Sequence, residues 1–183
     1  MALCDFLISS DIAGYDCSSP MAKGAQSMGI LINRSDIDSY TLSNFSLTAI
    51  TLKCGGKKAY TITQSGKTPF AGSQQEMVEG TYQNTITNTV QFVVLKQDYE
   101  TAEEIFALSN GEFVAIIPDK AGNYQVYGLE TGLHASGATR ELYNDDTLAG
   151  WQMTMVEEGA TRGNIFTNST IFTNLQSATS ACE

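Results

Sequence analysis

From Tyr82 to Val94, apolar side chains alternate with hydroxyl and amide side chains along the chain. The apolar residues fall on even positions, and a period of two is typical of a β-strand with one buried and one solvated face. At about 3.3 Å per residue, a single strand over Tyr82–Lys96 reaches roughly 50 Å, which is typical of an arm or wall that extends beyond its own core. Two shorter strands with a bend near Asn88 fit the same pattern equally well.

Most of the remaining sequence also favours β structure. Runs rich in β-branched and aromatic residues, separated by Gly, Asn and Lys turn signals, predict six further strands: Met28–Arg34, Leu47–Lys53, Lys58–Gln64, Glu112–Pro118, Asn123–Leu129 and Gly150–Glu157. The loop Cys54-Gly55-Gly56-Lys57 predicts a hairpin, because paired glycines supply the positive φ angles of a tight turn. Asp119-Lys120-Ala121-Gly122-Asn123 predicts a second hairpin, from Phe113 to Leu129.

One helix is predicted, from about Asp98 to Asn110. Its apolar residues fall on one side at helical spacing: Tyr99, Ala102, Ile105 and Phe106. Thr101 with Glu104 resembles a capping box, and Gly111 is placed for a left-handed C-terminal cap. We therefore expect a mainly β protein, an antiparallel β-sandwich or barrel with this helix against its open face and with Ile105 and Phe106 buried.

Two segments stand apart from these strands. The polar, glycine-rich stretch near 65–80 predicts a long loop or arm, and Gly66–Gly80 with part of the Tyr82–Lys96 strand is expected at subunit contacts or along a lumen. Deleting Lys67–Gln75 is then expected to leave a folded monomer. The near-repeat of Ile165–Asn168 and Ile171–Asn174 predicts a final strand, followed by a polar C-terminal tail near 167–183.

Length and charge limit the classes of protein. A chain of 183 residues suits one domain, and 42% hydrophobic residues suffice for a sizeable core. A formal net charge of −10 argues against a protein that grips nucleic-acid phosphates. The longest apolar runs are about six residues, far below the roughly 20 needed to span a membrane. The N-terminus lacks the basic and apolar regions of a secretory signal, which favours synthesis in a reducing cytoplasm.

The residues that could carry chemistry do not form recognisable sites. Cys4, Cys17, Cys54 and Cys182 are scattered, and His134 is the only histidine, so we expect free thiols and no metal. A polar loop histidine is the favoured interpretation of His134, because the chain has no nucleophile-elbow motif.

Two apparent motifs also fail. Ser65-Gly66-Lys67-Thr68 resembles the end of a P-loop, but Thr61 stands where its first glycine is required. Asp36-Ile37-Asp38 begins like a calcium loop, yet Thr41 replaces the turn glycine. Adjacent acids such as Asp145-Asp146 and Glu157-Glu158 point to opposite faces of a strand. We therefore expect no catalytic residue, no cofactor and no enzymatic activity.

The order of several short signatures is more informative than any one of them. Cys4, Asp16-Cys17 and Gly24–Ile32 with Asp36–Ser39 come first. They are followed by a long polar-aromatic strand, an amphipathic helix with an Asn-Gly turn, a hairpin and a closing strand: Glu79–Leu95, Glu103–Gly111, Phe113–Leu133 and Gly150–Glu158. Over residues 4 to 166, this order resembles a family of small structural proteins carried by phages and prophages of Bacteroidetes.

The resemblance implies a virion tail or tail-connector protein, similar in general plan to tail-tube proteins. Such proteins are β-sandwich or barrel folds with one flanking helix that self-assemble into rings. The implied partners are further copies of the chain, other phage tail proteins and DNA that passes through the lumen without sequence-specific binding. The implied location is the virion tail, after synthesis in the cytoplasm of the bacterial host.

The residues alone leave one alternative open, a β-sandwich module for carbohydrate binding or adhesion. Such a module would place Trp151, Tyr124 or Tyr143 on an exposed platform for sugar stacking. Alternation of Trp151 with Met153 and Met155 instead favours a core position for the indole.

Overall fold

The computed structural model describes residues 24–64, 68–96, 98–141, 150–163 and 165–177. These residues form eleven strands, two α-helices and a short 3-10 turn at Arg34–Asp36. In chain order the elements are β1 (Met28–Asn33), β2 (Ile37–Ser43), β3 (Ser46–Leu52), β4 (Tyr60–Thr63), β5 (Gln74–Val78), β6 (Thr85–Val94), α1 (Tyr99–Asn110), β7 (Phe113–Pro118), β8 (Tyr124–Tyr127), β9 (His134–Glu141), β10 (Gly150–Ala160), β11 (Ile165–Thr167) and α2 (Ser169–Ser177).

The strands form two sheets. The larger sheet has the order β2-β3-β11-β8-β7-β1-β4, and the smaller has the order β5-β6-β10-β9. The predicted β-sandwich with a flanking helix is therefore confirmed. Strand pairing is antiparallel except between β11 and β3, which pair in parallel at Phe166 and Ser46.

The larger sheet is buried on both faces at its centre. Alternate side chains of a strand point to opposite faces, so β1 and β7 each contribute to two apolar clusters. The first cluster lies between the sheets and includes Leu31, Ala115, Phe92, Met153 and Met155. The second covers the opposite face and includes Ile30, Ile116, Leu47, Phe172 and Leu175. The first cluster therefore joins the two sheets, and the second joins the larger sheet to α2.

Helix α2 replaces most of the expected polar tail. Asn168 Oδ1 accepts a hydrogen bond from the Ile171 amide at 2.9 Å, which satisfies a donor in the first turn. Phe172 and Leu175 are buried, and the Phe172 ring lies 5.0 Å from the ring of Tyr124. Their spacing of three residues places both on one helical face, a signal that the polar composition of this segment obscures.

Helix α1 covers the residues that sequence analysis predicts, but the groups that cap it and the face that it buries differ from the prediction. Asp98 caps the helix by accepting from the Thr101 amide at 2.9 Å, in place of a Thr101–Glu104 box. Gly111 has φ −105°, not a left-handed conformation. Ile105 is buried as expected, whereas Phe106 is 73% exposed, because successive helical side chains are rotated by about 100°.

Asp98 also pairs with Lys96, whose Nζ lies 2.5 Å from its carboxylate. This bond, followed by the bonds from Thr101, lowers the pKa of Asp98 to about 2.

One predicted hairpin is confirmed and one is wrong. β7 and β8 pair as expected, from Ala115 with Tyr127 to Pro118 with Tyr124. Gly55 and Gly56 have the predicted positive φ angles, but β3 pairs with β2 and β11, whereas β4 pairs with β1. Strand β6 covers ten residues without a break at Asn88, which is shorter than the predicted Tyr82–Lys96.

Asp36 fixes the loop that leads from β3 to β4. Its buried carboxylate accepts from Asn33 Nδ2 at 2.8 Å and pairs with Lys57 Nζ at 2.9 Å. The bond from Asn33, and then the bond and charge of Lys57, hold the pKa of Asp36 below its ordinary value. Loop 53–59 is thereby tied to the 3-10 turn, which directs the chain away from β3.

Asp36→Asn is expected to lower the free energy of unfolding by about 1–2 kcal/mol at pH 7, because it removes a charged hydrogen-bond acceptor. The folded-state pKa is lowered, so this stabilisation is complete well above the unfolded-state pKa of about 3.9 and is lost as the pH falls through the folded-state value. Urea denaturation of the wild type and the variant at pH 7 and at pH 3 measures the difference in unfolding free energy at each pH. A difference between wild type and variant that grows on acidification would contradict this assignment.

Cys54 is disulfide-bonded, and its partner lies outside the described residues. The expectation of free thiols is therefore wrong at this position. Cys4, Cys17 and Cys182 also lie outside the described residues.

Candidate functional site

Strand β5 and the first half of β6 form a hairpin over residues 74–89, which we call the arm. Its strands pair in register from Gln74 with Thr89 to Val78 with Thr85. Every residue from 76 to 84 is exposed to solvent. Because β5 ends the smaller sheet, its outer backbone edge has no strand partner within the described residues.

The tip of the arm is apolar and acidic. Met77 is 68% exposed, Val78 44% and Tyr82 100%. Glu76 and Glu79 lie beside them, and the sequence has no Lys or Arg from residue 68 to residue 95. Large apolar side chains grouped on one projecting element are typical of a surface that contacts another molecule.

The base of the arm is rigid because it is anchored in the monomer's own core. Phe70 is only 5% exposed and belongs to the cluster between the sheets. Before the first residue of β5, two side chains continue the hydrogen-bond ladder along β6. Ser73 Oγ accepts from the Gln91 amide at 3.0 Å, and the Gln64 amide group bonds both backbone groups of Val93, at 2.8 and 2.9 Å.

These contacts divide the segment near 65–80, which sequence analysis predicts to be one long loop. The expectation that Gly66–Gly80 lies outside the monomer's core is wrong at Phe70, and residues 65–67 lie outside the described part of the chain. Residues 68–73 brace the base, whereas residues 76–84, at the edge strand and the turn that follows it, are all exposed. An exposed segment that strand pairing already holds in place needs little ordering to bind, which reduces the entropy cost of contact.

An apolar cleft of ≈ 640 Å³ opens at the far end of β6, between α1 and β4. Its walls are aliphatic and aromatic side chains from three elements of the sandwich and the helix: Leu31, Ile62, Phe92, Val94, Ile105 and Leu108. Tyr60, Glu104 and Ala107 also line it and are exposed. Lys58 Nζ lies 5.4 Å from the centre of the Tyr60 ring, and within the described residues Lys58 makes no ion pair.

A second cavity, of ≈ 560 Å³, lies beside the base of the arm. It is lined by Phe70, Lys120 and Tyr127, among others. The Tyr127 hydroxyl donates to Gln125 Oε1. Burial, and then the charge of Asp119, raises the pKa of Tyr127 to about 12. Its phenol is therefore protonated at neutral pH and is a poor nucleophile.

Glu157 is the most deeply buried acid of the described residues, at 2% exposure. Its carboxylate accepts four hydrogen bonds, from Asn88 Nδ2 at 2.6 Å and from the amides of Gly128, Glu130 and Thr131 at 2.7, 3.1 and 3.2 Å. Glu130 in turn accepts from the amide and hydroxyl of Thr161, at 2.5 and 2.8 Å. These two acids fasten the loop after β8 to β10.

Sequence analysis considers Glu157 only as one of two adjacent acids. Its neighbour Glu158 is exposed. Nothing in the local sequence marks the Glu157 role, because its donors lie 26 to 69 residues away.

The candidate chemical residues remain apart. His134 is exposed at the start of β9, and Thr68 is exposed, whereas Ser65–Lys67 and Asp145-Asp146 lie outside the described residues. In the described part of the chain, no group of three or more His, Cys, Asp or Glu side chains is placed to hold a metal ion.

Two of the three aromatic residues proposed as a sugar platform, Trp151 and Tyr124, contact their own chain. Trp151 is half-buried against the first cluster, and the guanidinium of Arg140 lies 5.2 Å from its ring. Tyr124 packs on Phe172 in the second cluster, on the other face of the larger sheet. Tyr143 lies outside the described residues. The structure therefore does not bring Trp151 and Tyr124 together.

Comparison with known proteins gives no family. No family model, no curated protein and no solved structure matches this chain. Among the helices of the described ranges, none is long and apolar enough to span a membrane. The most apolar surface features of the described residues are the exposed tip of the arm and the cleft.

Proposed function

We propose that this chain is a structural protein of a phage tail that self-assembles into rings of the tube or connector through which DNA passes. The proposal combines the order of sequence signatures with the structure of the arm. The sandwich with a flanking helix is the architecture that the resemblance implies, and the arm supplies what a ring subunit requires, a projecting surface that is incomplete in the monomer.

The exposed tip of the arm carries this proposal. Met77, Val78 and Tyr82 are kept in water by a hairpin whose base is fixed, so their exposure is built into the fold. Burial of a tyrosine removes roughly 150–250 Å² of surface from water, and apolar burial is worth about 25 cal/mol per Å². Aromatic anchors of this kind dominate the binding energy of many protein interfaces.

The edge of β5 adds a second means of contact. An unpaired strand edge presents backbone donors and acceptors that another chain can satisfy. A contact between two different surfaces of identical subunits closes into a ring when the rotation allows it. The arm and its exposed edge therefore suit ring or tube assembly better than solitary function.

The net charge suits a conduit for DNA. A formal net charge of −10 is compatible with a lumen that repels phosphates and lets the duplex slide without sequence-specific contacts. Other tail proteins would contact the exposed ends of such rings, and the site of action would be the virion tail. The carbohydrate-binding alternative loses support, because Trp151 and Tyr124 are occupied within the fold.

The test is assembly of the purified full-length chain. Wild type is expected to form rings or stacked rings in negative-stain electron micrographs, and the triple variant Met77→Ser, Val78→Ser, Tyr82→Ser is expected to remain monomeric with an unchanged melting temperature. The matched control is Tyr99→Ser with Phe106→Ser, which removes two rings of comparable exposure, 74% and 73%, from α1. Rings of unchanged spacing from the triple variant would refute the role of the arm.

A further inference from the structure

The arm tip and the cleft are complementary surfaces at opposite ends of the same strand. The tip adjoins the start of β6 at Thr85, whereas Phe92 and Val94 at its end form part of the cleft wall. Ten residues of strand at about 3.3 Å each separate them by roughly 30 Å. Because β5 pairs with the first half of β6, which in turn pairs with β10, the tip cannot reach the cleft of its own copy.

We propose that the cleft is the receptor for the arm of a second copy of this chain. The inference rests on the proposed self-assembly and assigns both halves of its contact. In this arrangement Met77 and Tyr82 of one copy enter between α1 and β4 of the next. A patch that fits a pocket elsewhere on the same molecule can make a head-to-tail contact, and repetition of that contact produces rings or filaments.

Chemistry favours this occupant. The cleft is lined mainly by aliphatic and aromatic side chains, which match the thioether and phenol of the tip. The tip carries Glu76 and Glu79 without a basic residue, and Lys58 Nζ lies 5.4 Å from the ring centre of Tyr60, which lines the cleft. Glu104, the charged residue of the lining, lies on the helical wall opposite β4. An acidic arm that approaches the β4 side therefore meets a lysine whose charge is not neutralised by an ion pair within the described residues.

The edge strands support the same direction of contact. The outer strands β2 and β9 pair with their neighbours through irregular registers, a feature that protects sheet edges from further pairing. The pairing of β5 with β6 and of β4 with β1 is regular. The two regular edges are those that carry the arm and flank the cleft, so the unprotected edges coincide with the two halves of the proposed contact.

The proposal is tested with two defective variants of the full chain. Met77→Ser with Tyr82→Ser removes the tip, and Ala107→Trp places an indole in the mouth of the cleft. Each is expected to weaken self-association at least roughly 30-fold in sedimentation velocity, the effect of losing about 2 kcal/mol at an interface anchor. Ser109→Trp is the control, because Ser109 is exposed on the same helix but does not line the cleft.

Mixing the two defective variants in equal amounts decides the geometry. The Ala107→Trp copy retains an intact arm and the other copy an intact cleft, so the mixture is expected to form a heterodimer that grows no further. Absence of that dimer, or wild-type assembly by Ala107→Trp, would overturn the cleft as receptor while leaving self-assembly in place. A wild-type chain that stays monomeric at all concentrations would refute both proposals. Thermal melts of each variant check that it is folded.

Discussion

Glu157→Ala is expected to lower the free energy of unfolding by about 3–5 kcal/mol. The substitution leaves four buried or half-buried donors without their acceptor, and an unsatisfied buried polar group costs about 1–3 kcal/mol. Water that enters the vacated space recovers part of this loss. Since small domains have about 5–15 kcal/mol of stability, the effect is a large part of the total.

The measurement is urea denaturation with a matched neighbour. Glu158→Gln changes an exposed acid one residue away and is expected to shift the unfolding free energy by no more than about 0.5 kcal/mol. Glu157→Gln keeps one acceptor oxygen and is expected to fall between the two. A Glu157→Ala variant within about 1 kcal/mol of wild type would show that the loop after β8 does not depend on this carboxylate.

Phe70→Ala is the second large effect, with an expected loss of about 3–5 kcal/mol, because it empties the space of a buried aromatic ring in the first cluster. Tyr82→Ala, twelve residues later, is expected to change stability by no more than about 0.5 kcal/mol, since its side chain is fully exposed. Thermal or urea unfolding of both variants at protein concentrations too low for assembly measures the contrast. Equal losses for the two would contradict the division between a structural base and a projecting tip.

The comparison of Phe70→Ala with Tyr82→Ala is a better test of the arm than the deletion of Lys67–Gln75. That deletion would remove Phe70 together with Ser73, which bonds the Gln91 amide. We now expect it to destabilise the monomer, so it cannot separate folding from assembly. Substitutions confined to residues 76–84 can separate the two effects, because these residues are exposed.

The strands that sequence analysis found are those with apolar faces. β1, β6 and β7 have near-continuous or alternating apolar residues, and the matching predictions are confirmed. β2, β5 and β9 were not predicted as strands, because they are edge strands whose composition, such as Gln74–Val78, is largely polar. Their conformation is determined by pairing with a neighbour, which local sequence does not record.

Long-range contacts explain the remaining differences. The Gly55-Gly56 turn and the strands on either side of it were predicted, but the partners of those strands were not. Asp36 bonds Lys57, and the chain then pairs with β1. The arm was predicted in outline, whereas the burial of Phe70 within a polar segment depends on the second sheet. Neither the hydrogen bonds of the Glu157 carboxylate nor the cleft could be predicted, since both are made by residues that lie far apart in the sequence.

In the assembly that we propose, the arm is completed by another copy of this chain. The most direct measurement is a cryo-electron microscopy map of the assemblies formed by the wild-type protein, with residues 76–84 traced in each subunit. We expect a closed or stacked ring in which Met77 and Tyr82 are buried against the neighbouring subunit. A wild-type protein that remains monomeric at every concentration, or rings in which the tip of the arm stays in solvent, would contradict it.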